Sequence, residues 1–310
     1  SYLGNYMSFL FRSALSSPNL VRARISSHIR RPVTNSSKFS NNKSELAITR
    51  LIKNKNIKLV IFDKDGTLIE FEHYWSHWVK LLGAHLSSAV ELHKNKITTP
   101  TEPIDNLFYT EFGCNPDTGL AFNSDSLILS TDGSLIRGKL SDLLIKYIDI
   151  NSLGAEKIVD QTFETLFFQM RYWVEPIGDV KSLFNNIKSL DCEIGIYTAD
   201  FNYPTKLALV KLGVWEDIDY VLACDSKSSF AKPSSNAIEY LAQKAEVNID
   251  EVLMIGDSTS DIISAKQAGA YACGVLSGVA SFSELNSYNA DLIFKDIMAR
   301  APAGEYNLAV

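Results

Sequence analysis

The sequence predicts an α/β fold, a doubly wound parallel sheet interrupted once by a mainly helical insertion. Three observations predict it. Nearly continuous apolar runs recur at Lys58–Phe62, Glu193–Tyr197, Tyr220–Ala223, Glu251–Ile255 and Ala270–Leu276, as strands do when both faces of a sheet are covered. Helical spacing fills the intervals at Val180–Leu190, Thr205–Leu212, Asn236–Ala245 and Ser260–Ala268, and regular strand-helix alternation is the pattern of parallel crossover units. The alternation lapses only between the first and second runs, where Tyr74–Val90, Leu140–Tyr147 and Ile158–Tyr172 have helical spacing and no strand-helix-strand unit is evident.

In order along the chain, residues 45–70 hold the first strand and the turn after it, and residues 71–175 are expected to form a helical cap. Within the cap, Asn115–Gly133 is rich in Asn, Asp, Gly, Ser and Thr and reads as loop or short hairpin. Pro176 and Gly178 mark the return to the core, which continues over residues 176–310.

Composition narrows the function classes. Hydrophobic residues are 46% and charged residues 21% of 310, a soluble globular balance, and no apolar run approaches the roughly 18 residues of a membrane span. The net charge of −6 is uneven, since residues 1–44 contain seven Arg or Lys and no acid, leaving the rest at −13. An acidic body argues against nucleic acid as a partner, because phosphate-backbone binding needs a positive surface. The serine-rich basic segment 1–44, with Arg22, Arg24, Arg30 and Arg31 after Met7, has the composition of an organellar transit peptide, with a disordered basic tail as the alternative. A mitochondrial (matrix) location is expected, otherwise cytoplasmic. Cys114, Cys192, Cys224 and Cys273 lack metal-site spacing and read as small buried hydrophobes.

Polar residues follow the apolar runs where chemistry is expected. The first run leads into Asp63 and Asp65, the second into Thr198, the fourth into Gly256, Asp257 and Asp261, and Lys232 follows the third. Ligands of open parallel sheets bind beyond the carboxyl ends of the strands, so these residues should converge. Two carboxylates ~4 Å apart repel by about 4 kcal/mol at an effective dielectric of 20, so such a cluster calls for a cation. Oxygen-only ligands with room for water and a substrate oxygen favour Mg²⁺. Lys232 and Thr198 can then hold phosphoryl oxygens.

Four segments in order carry a resemblance. Asp63-Lys64-Asp65-Gly66-Thr67, Ile196-Tyr197-Thr198, Ala231-Lys232-Pro233 and Gly256-Asp257-Ser258-Thr259-Ser260-Asp261 resemble the four motifs of the haloacid dehalogenase superfamily, and the likeness spans the chain after residue 57. The insertion between the first two motifs resembles the branch whose cap follows motif one, and Gly113–Gly119 with Asp125-Ser126 is similar to phosphoglycolate phosphatase-like proteins.

The resemblance implies that Asp63 attacks phosphorus, forming an aspartyl-phosphate, and that Asp65 serves as acid and then base. It implies Mg²⁺ held by the Asp63 carboxylate, the Asp65 backbone carbonyl and Asp257, with Asp261 orienting the site or reaching the ion through water and Gly66 and Thr67 in the turn. Asp65 favours phosphate over halide as the group handled. The expected partner is a small phosphorylated metabolite such as phosphoglycolate or a sugar phosphate. A phosphomutase and a non-catalytic subunit of a mitochondrial assembly are the alternatives, and substrate and oligomeric state stay open.

Plainer roles compete. Thr198 could cap a turn, Asp200 could compete with it, and Lys232 could be a surface lysine. His73, Tyr74, Trp75, His77 and Trp78 could face substrate, although core packing is the simpler role for both tryptophans. Arg171 could clamp a substrate carboxylate or sit in a surface ion pair.

Overall fold

The computed structural model describes residues 45–92, 104–115, 117–119, 133–147 and 150–300. Segment 1–44, Asp125-Ser126 and most of the expected Asn115–Gly133 loop lie outside the described residues.

Six parallel strands form one sheet: β1 (Leu59–Phe62), β2 (Glu193–Tyr197), β3 (Tyr220–Leu222), β4 (Val252–Gly256), β5 (Tyr271–Val275) and β6 (Leu292–Phe294), in the spatial order β3-β2-β1-β4-β5-β6. The order reverses at β1, which pairs with β2 on one side and β4 on the other. A crevice beyond the carboxyl ends of β1, β2 and β4 is where a doubly wound sheet places a ligand.

Helices cover both faces. The described helices are α1 (Ala47–Lys55), α2 (Phe71–Leu92), α3 (Ile104–Phe112), α4 (Gly133–Tyr147), α5 (Ser152–Met170), α6 (Val180–Lys188), α7 (Asn202–Lys211), α8 (Ser235–Ala245), α9 (Thr259–Ala268) and α10 (Phe282–Ser287). In α6, Val180, Leu183, Phe184 and Ile187 are buried at helical spacing, and the Asp179 side chain caps the first turn by accepting from Ser182 N at 2.9 Å. In α8, Ala237, Ile238, Leu241 and Ala242 repeat the pattern. Leu59 and Ile61 face one core cluster while Val60 and Phe62 face the other, which is why β1 is apolar at every position. Cys114, Cys192 and Cys273 are buried thiols.

Between β1 and β2 lie α2 to α6 and a 3-10 turn, Arg171–Trp173, with no strand among the described residues. The chain leaves and re-enters the sheet through a stitched stem. Glu70 N donates to Glu175 O at 2.9 Å, Ile177 N donates to Leu68 O at 2.9 Å, and Ile69 bridges Pro176. No described helix is long and apolar enough to cross a membrane.

Candidate active site

Asp63 follows β1 directly, and its N–H extends the ladder by donating to Ile255 O at 2.9 Å. Placement on the central strand makes its backbone as rigid as the sheet. Lys232 Nζ lies 2.5 Å from Asp63 Oδ1 and 2.6 Å from Asp261 Oδ1, with the Tyr197 ring beneath it at 4.9 Å. Burial opposes the charge of Lys232, but Asp261 and Asp63 outweigh that and hold its ammonium above the ordinary lysine range.

Asp257, at the end of β4, accepts from Val279 N at 2.8 Å and from Thr67 Oγ1 at 3.2 Å. Two glycines make room for it. Gly66 has φ +80, and a Cβ there would stand 2.4 Å from Asp257 Oδ2; a Cβ on Gly278 would stand 1.8 Å from the same oxygen. Asp261 heads α9 and is fully buried, with Oδ2 taken by Ser258 N at 3.1 Å and Ser258 Oγ at 2.7 Å. Its other oxygen accepts from Lys232 Nζ, so both carboxylate oxygens of Asp261 are engaged.

Asp63, Asp257 and Asp261 each offer an oxygen, all within 4.8 Å of one another. Burial, with repulsion from Asp63 and Asp261, pushes the Asp257 carboxyl well above the carboxylate range, and burial pushes Asp261 up as well. Ionised together, three buried carboxylates against one ammonium would leave two uncompensated negative charges, so the residues present fit a hard divalent cation held by oxygen.

A second lysine sits on the other side of Asp63. Lys64 is fully buried, 2.6 Å from Asp65 Oδ1 and 3.0 Å from Asp200 Oδ2, and its ammonium lies 4.7 Å from the centre of the Tyr74 ring on α2. Burial opposes its charge, yet Asp65 and Asp200 hold the ammonium above its ordinary range. Burial pushes the Asp65 carboxyl up to about 7, with Asp200 and Asp63 adding to the rise against the pull of Lys64. Thr198, buried at the end of β2, accepts from Asp200 N at 3.1 Å, so it caps the turn and also lines the cavity.

These groups form the floor of a cavity of about 350 Å³ between the sheet and the helical insertion. Its floor includes Asp63, Asp65, Thr198, Lys232 and Asp257, and its wall includes Phe71, Trp75, Trp78, Phe163, Phe167 and Phe201. Trp75 and Trp78 thus pack in the core and face the cavity at once. His77 instead stacks on Trp173 at 3.9 Å. Arg171 is absent from the described lining and lies over the Phe168 ring at 3.9 Å and the Tyr172 ring at 4.7 Å.

Sequence reasoning missed three contributors. Lys64 stood inside the first motif as a spacer, and only its burial reveals a role. Asp200 was set against Thr198, whereas the two share one turn. Gly278-Val279 follows β5, and the Ser-Gly pair after an apolar run was the available signal.

The family model described as haloacid dehalogenase-like hydrolase matches residues 57–269. The chain belongs to this family. Among relatives of this haloacid dehalogenase-like hydrolase is the phosphoglycolate phosphatase of Vibrio parahaemolyticus, 26% identical over 243 residues that make up 77% of this chain and 92% of the relative. Another is pyrophosphatase PpaX of Oceanobacillus iheyensis, 22% identical over 48% of this chain and 69% of its own length. The crystal structure of a predicted phosphoglycolate phosphatase from Haemophilus somnus covers 78% of this chain and 95% of its own, with a TM-score of 0.53 at 19% identity, a likeness of fold.

Proposed function

We propose that this hydrolase is a Mg²⁺-dependent phosphatase that cleaves small phosphate monoesters through a phosphorylated Asp63. The observation that carries the reading is Asp63 itself, a carboxylate fixed at the end of the central strand, in contact with Lys232 and open to the cavity. The Asp63 carboxylate, the Asp65 carbonyl and Asp257 would hold the ion, with Thr67 and Asp261 steadying the site. Mg²⁺ bound there would supply positive charge between nucleophile and phosphate.

Asp63 attacks phosphorus, the bond from phosphorus to the ester oxygen breaks, and Asp65 gives that oxygen its proton. Water then attacks the phosphorylated Asp63 at phosphorus and yields its proton to Asp65, releasing phosphate. A carboxyl near 7 is populated in both forms at neutral pH, which suits a group that donates and then accepts. Lys232 and the Thr198 hydroxyl hold phosphoryl oxygens as charge moves among them.

The test is hydrolysis of p-nitrophenyl phosphate and a metabolite panel with and without Mg²⁺, using Asp63→Asn as control. Expected is Mg²⁺-dependent turnover at least about 10³-fold above the variant. Equal rates for the folded wild type and variant would refute the reading. We assign segment 1–44 as a mitochondrial transit peptide on composition; uptake of the full chain by isolated mitochondria, lost on deleting 1–44, tests it.

A further inference from the structure

We infer that the substrate is the phosphate ester of an apolar alcohol of one or two rings, held by the aromatic wall, in preference to phosphoglycolate, a sugar phosphate or pyrophosphate. The inference rests on the phosphatase reading and goes beyond it to what the phosphate is attached to.

The wall is chemically one-sided. Phe71, Tyr74, Trp75 and Trp78 come from α2, Phe163 and Phe167 from α5, and Phe201 from the start of α7. The rings brace one another. Trp75 meets Trp78 edge-on at 5.5 Å, Trp78 meets Phe163 at 5.7 Å, Phe163 meets Phe167 at 5.6 Å and Phe167 lies 5.6 Å from Phe201. Such a surface recognises a flat or branched hydrocarbon by area and by edge-to-face contact.

What the wall lacks excludes the competitors. Among the described residues that line the cavity, Lys232 is the one cation, and Asp63 and Asp261 already hold it. A carboxylate tail or a second phosphate would need a further cation and would meet Asp65, Asp200 and Glu284 instead. Arg171 does not replace it, being stacked on Phe168 and Tyr172. A sugar would set hydroxyls stripped of water against Phe71, Phe163, Phe167 and Phe201, which offer no partners, leaving the Trp75 N–H on that wall and the polar edge at Ser258–Ser260 to meet them. About 350 Å³ is near the low end for small-molecule sites, enough for a phosphate and a small ring system.

The experiment compares kcat/KM of the full chain with Mg²⁺ on 2-phenylethyl phosphate, ethyl phosphate, phosphoglycolate, ribose 5-phosphate and pyrophosphate. The three small esters release unactivated alkyl alcohols, so differences among them report recognition. Expected is 2-phenylethyl phosphate ahead of ethyl phosphate and phosphoglycolate by roughly tenfold or more, the effect of burying one ring. In Phe71→Ala, a half-buried position, the 2-phenylethyl to ethyl ratio should fall at least about fivefold. Phosphoglycolate, ribose 5-phosphate or pyrophosphate outpacing 2-phenylethyl phosphate, or an unchanged ratio in Phe71→Ala, overturns the inference. If p-nitrophenyl phosphate is turned over in those cases, the phosphatase reading stands without it; if neither it nor any ester is, both fall.

Discussion

The floor and the wall of the cavity are held together by opposite physics. At the floor, buried carboxylates repel one another, and two buried lysines and a set of backbone donors keep them in place. At the wall, neutral rings attract one another chiefly by area and shape, and the cations that touch them, Arg137 on Phe163 and Lys64 on Tyr74, meet ring faces. Substitutions in the two regions should therefore fail in different currencies. Damage to the wall costs stability and recognition, whereas damage to the floor costs turnover and can even stabilise the metal-free chain.

The largest expected effect lies in the wall. Phe163→Ala removes a buried ring that touches Trp78 and Phe167 and carries the Arg137 guanidinium 4.3 Å above it. It should lower unfolding free energy by about 3–5 kcal/mol in a urea titration. A loss under about 1 kcal/mol would mean that the rings are not a structural unit.

Gly278→Ala probes the floor with one methyl group. Its Cβ would overlap Asp257 Oδ2, so Asp257 must shift, and kcat should fall about 10²-fold while the urea midpoint changes far less than in Phe163→Ala. Full activity would show that Asp257 need not be held where it is.

A smaller effect separates the regions by pH. Asp65, Asp257 and Asp261 all have folded pKa values raised above their unfolded ones. Their contribution to stability is complete below about pH 4 and is lost as pH rises through the raised values, about 7 for Asp65. Without metal, Asp257→Asn should therefore raise the melting temperature at pH 8 by about 2–4 °C, more than at pH 5, and Mg²⁺ should reverse the ranking. A variant less stable than wild type at pH 8 without metal would contradict strain at the floor.

The smallest effect is expected at Arg171. Because it is stacked outside the cavity, Arg171→Ala should change kcat/KM for phosphoglycolate less than about twofold. A larger fall would place a cation in the wall and blur the contrast.

The same contrast explains what could be read in advance. The floor was legible because each of its groups follows an apolar run, and parallel strands carry their carboxyl ends to one edge; Asp63, Thr198 and Asp257 needed no knowledge of packing beyond that. The sheet class was legible for the same reason, yet β6 was missed, because Leu292–Phe294 is three half-buried residues. Helix α3 was missed beside segments of mixed polarity. The wall was illegible, since whether Trp75 and Trp78 face core or cavity depends on how α2 leans on α5, which spacing within α2 does not contain. Lys64 was hidden for a related reason, because a lysine between two aspartates reads as solvated until the Tyr74 ring is seen to cover it.

The stem between Leu68 and Ile177 has a consequence for descent as well as for folding. Helices α2 to α5 enter and leave through one pair of adjacent strands of backbone, clasped by two hydrogen bonds. Lineages could exchange or rebuild that whole passage without altering a single register position in the sheet. Most of the aromatic wall then hangs from that stem, while Asp63, Thr198 and Asp257 stay with the strand ends.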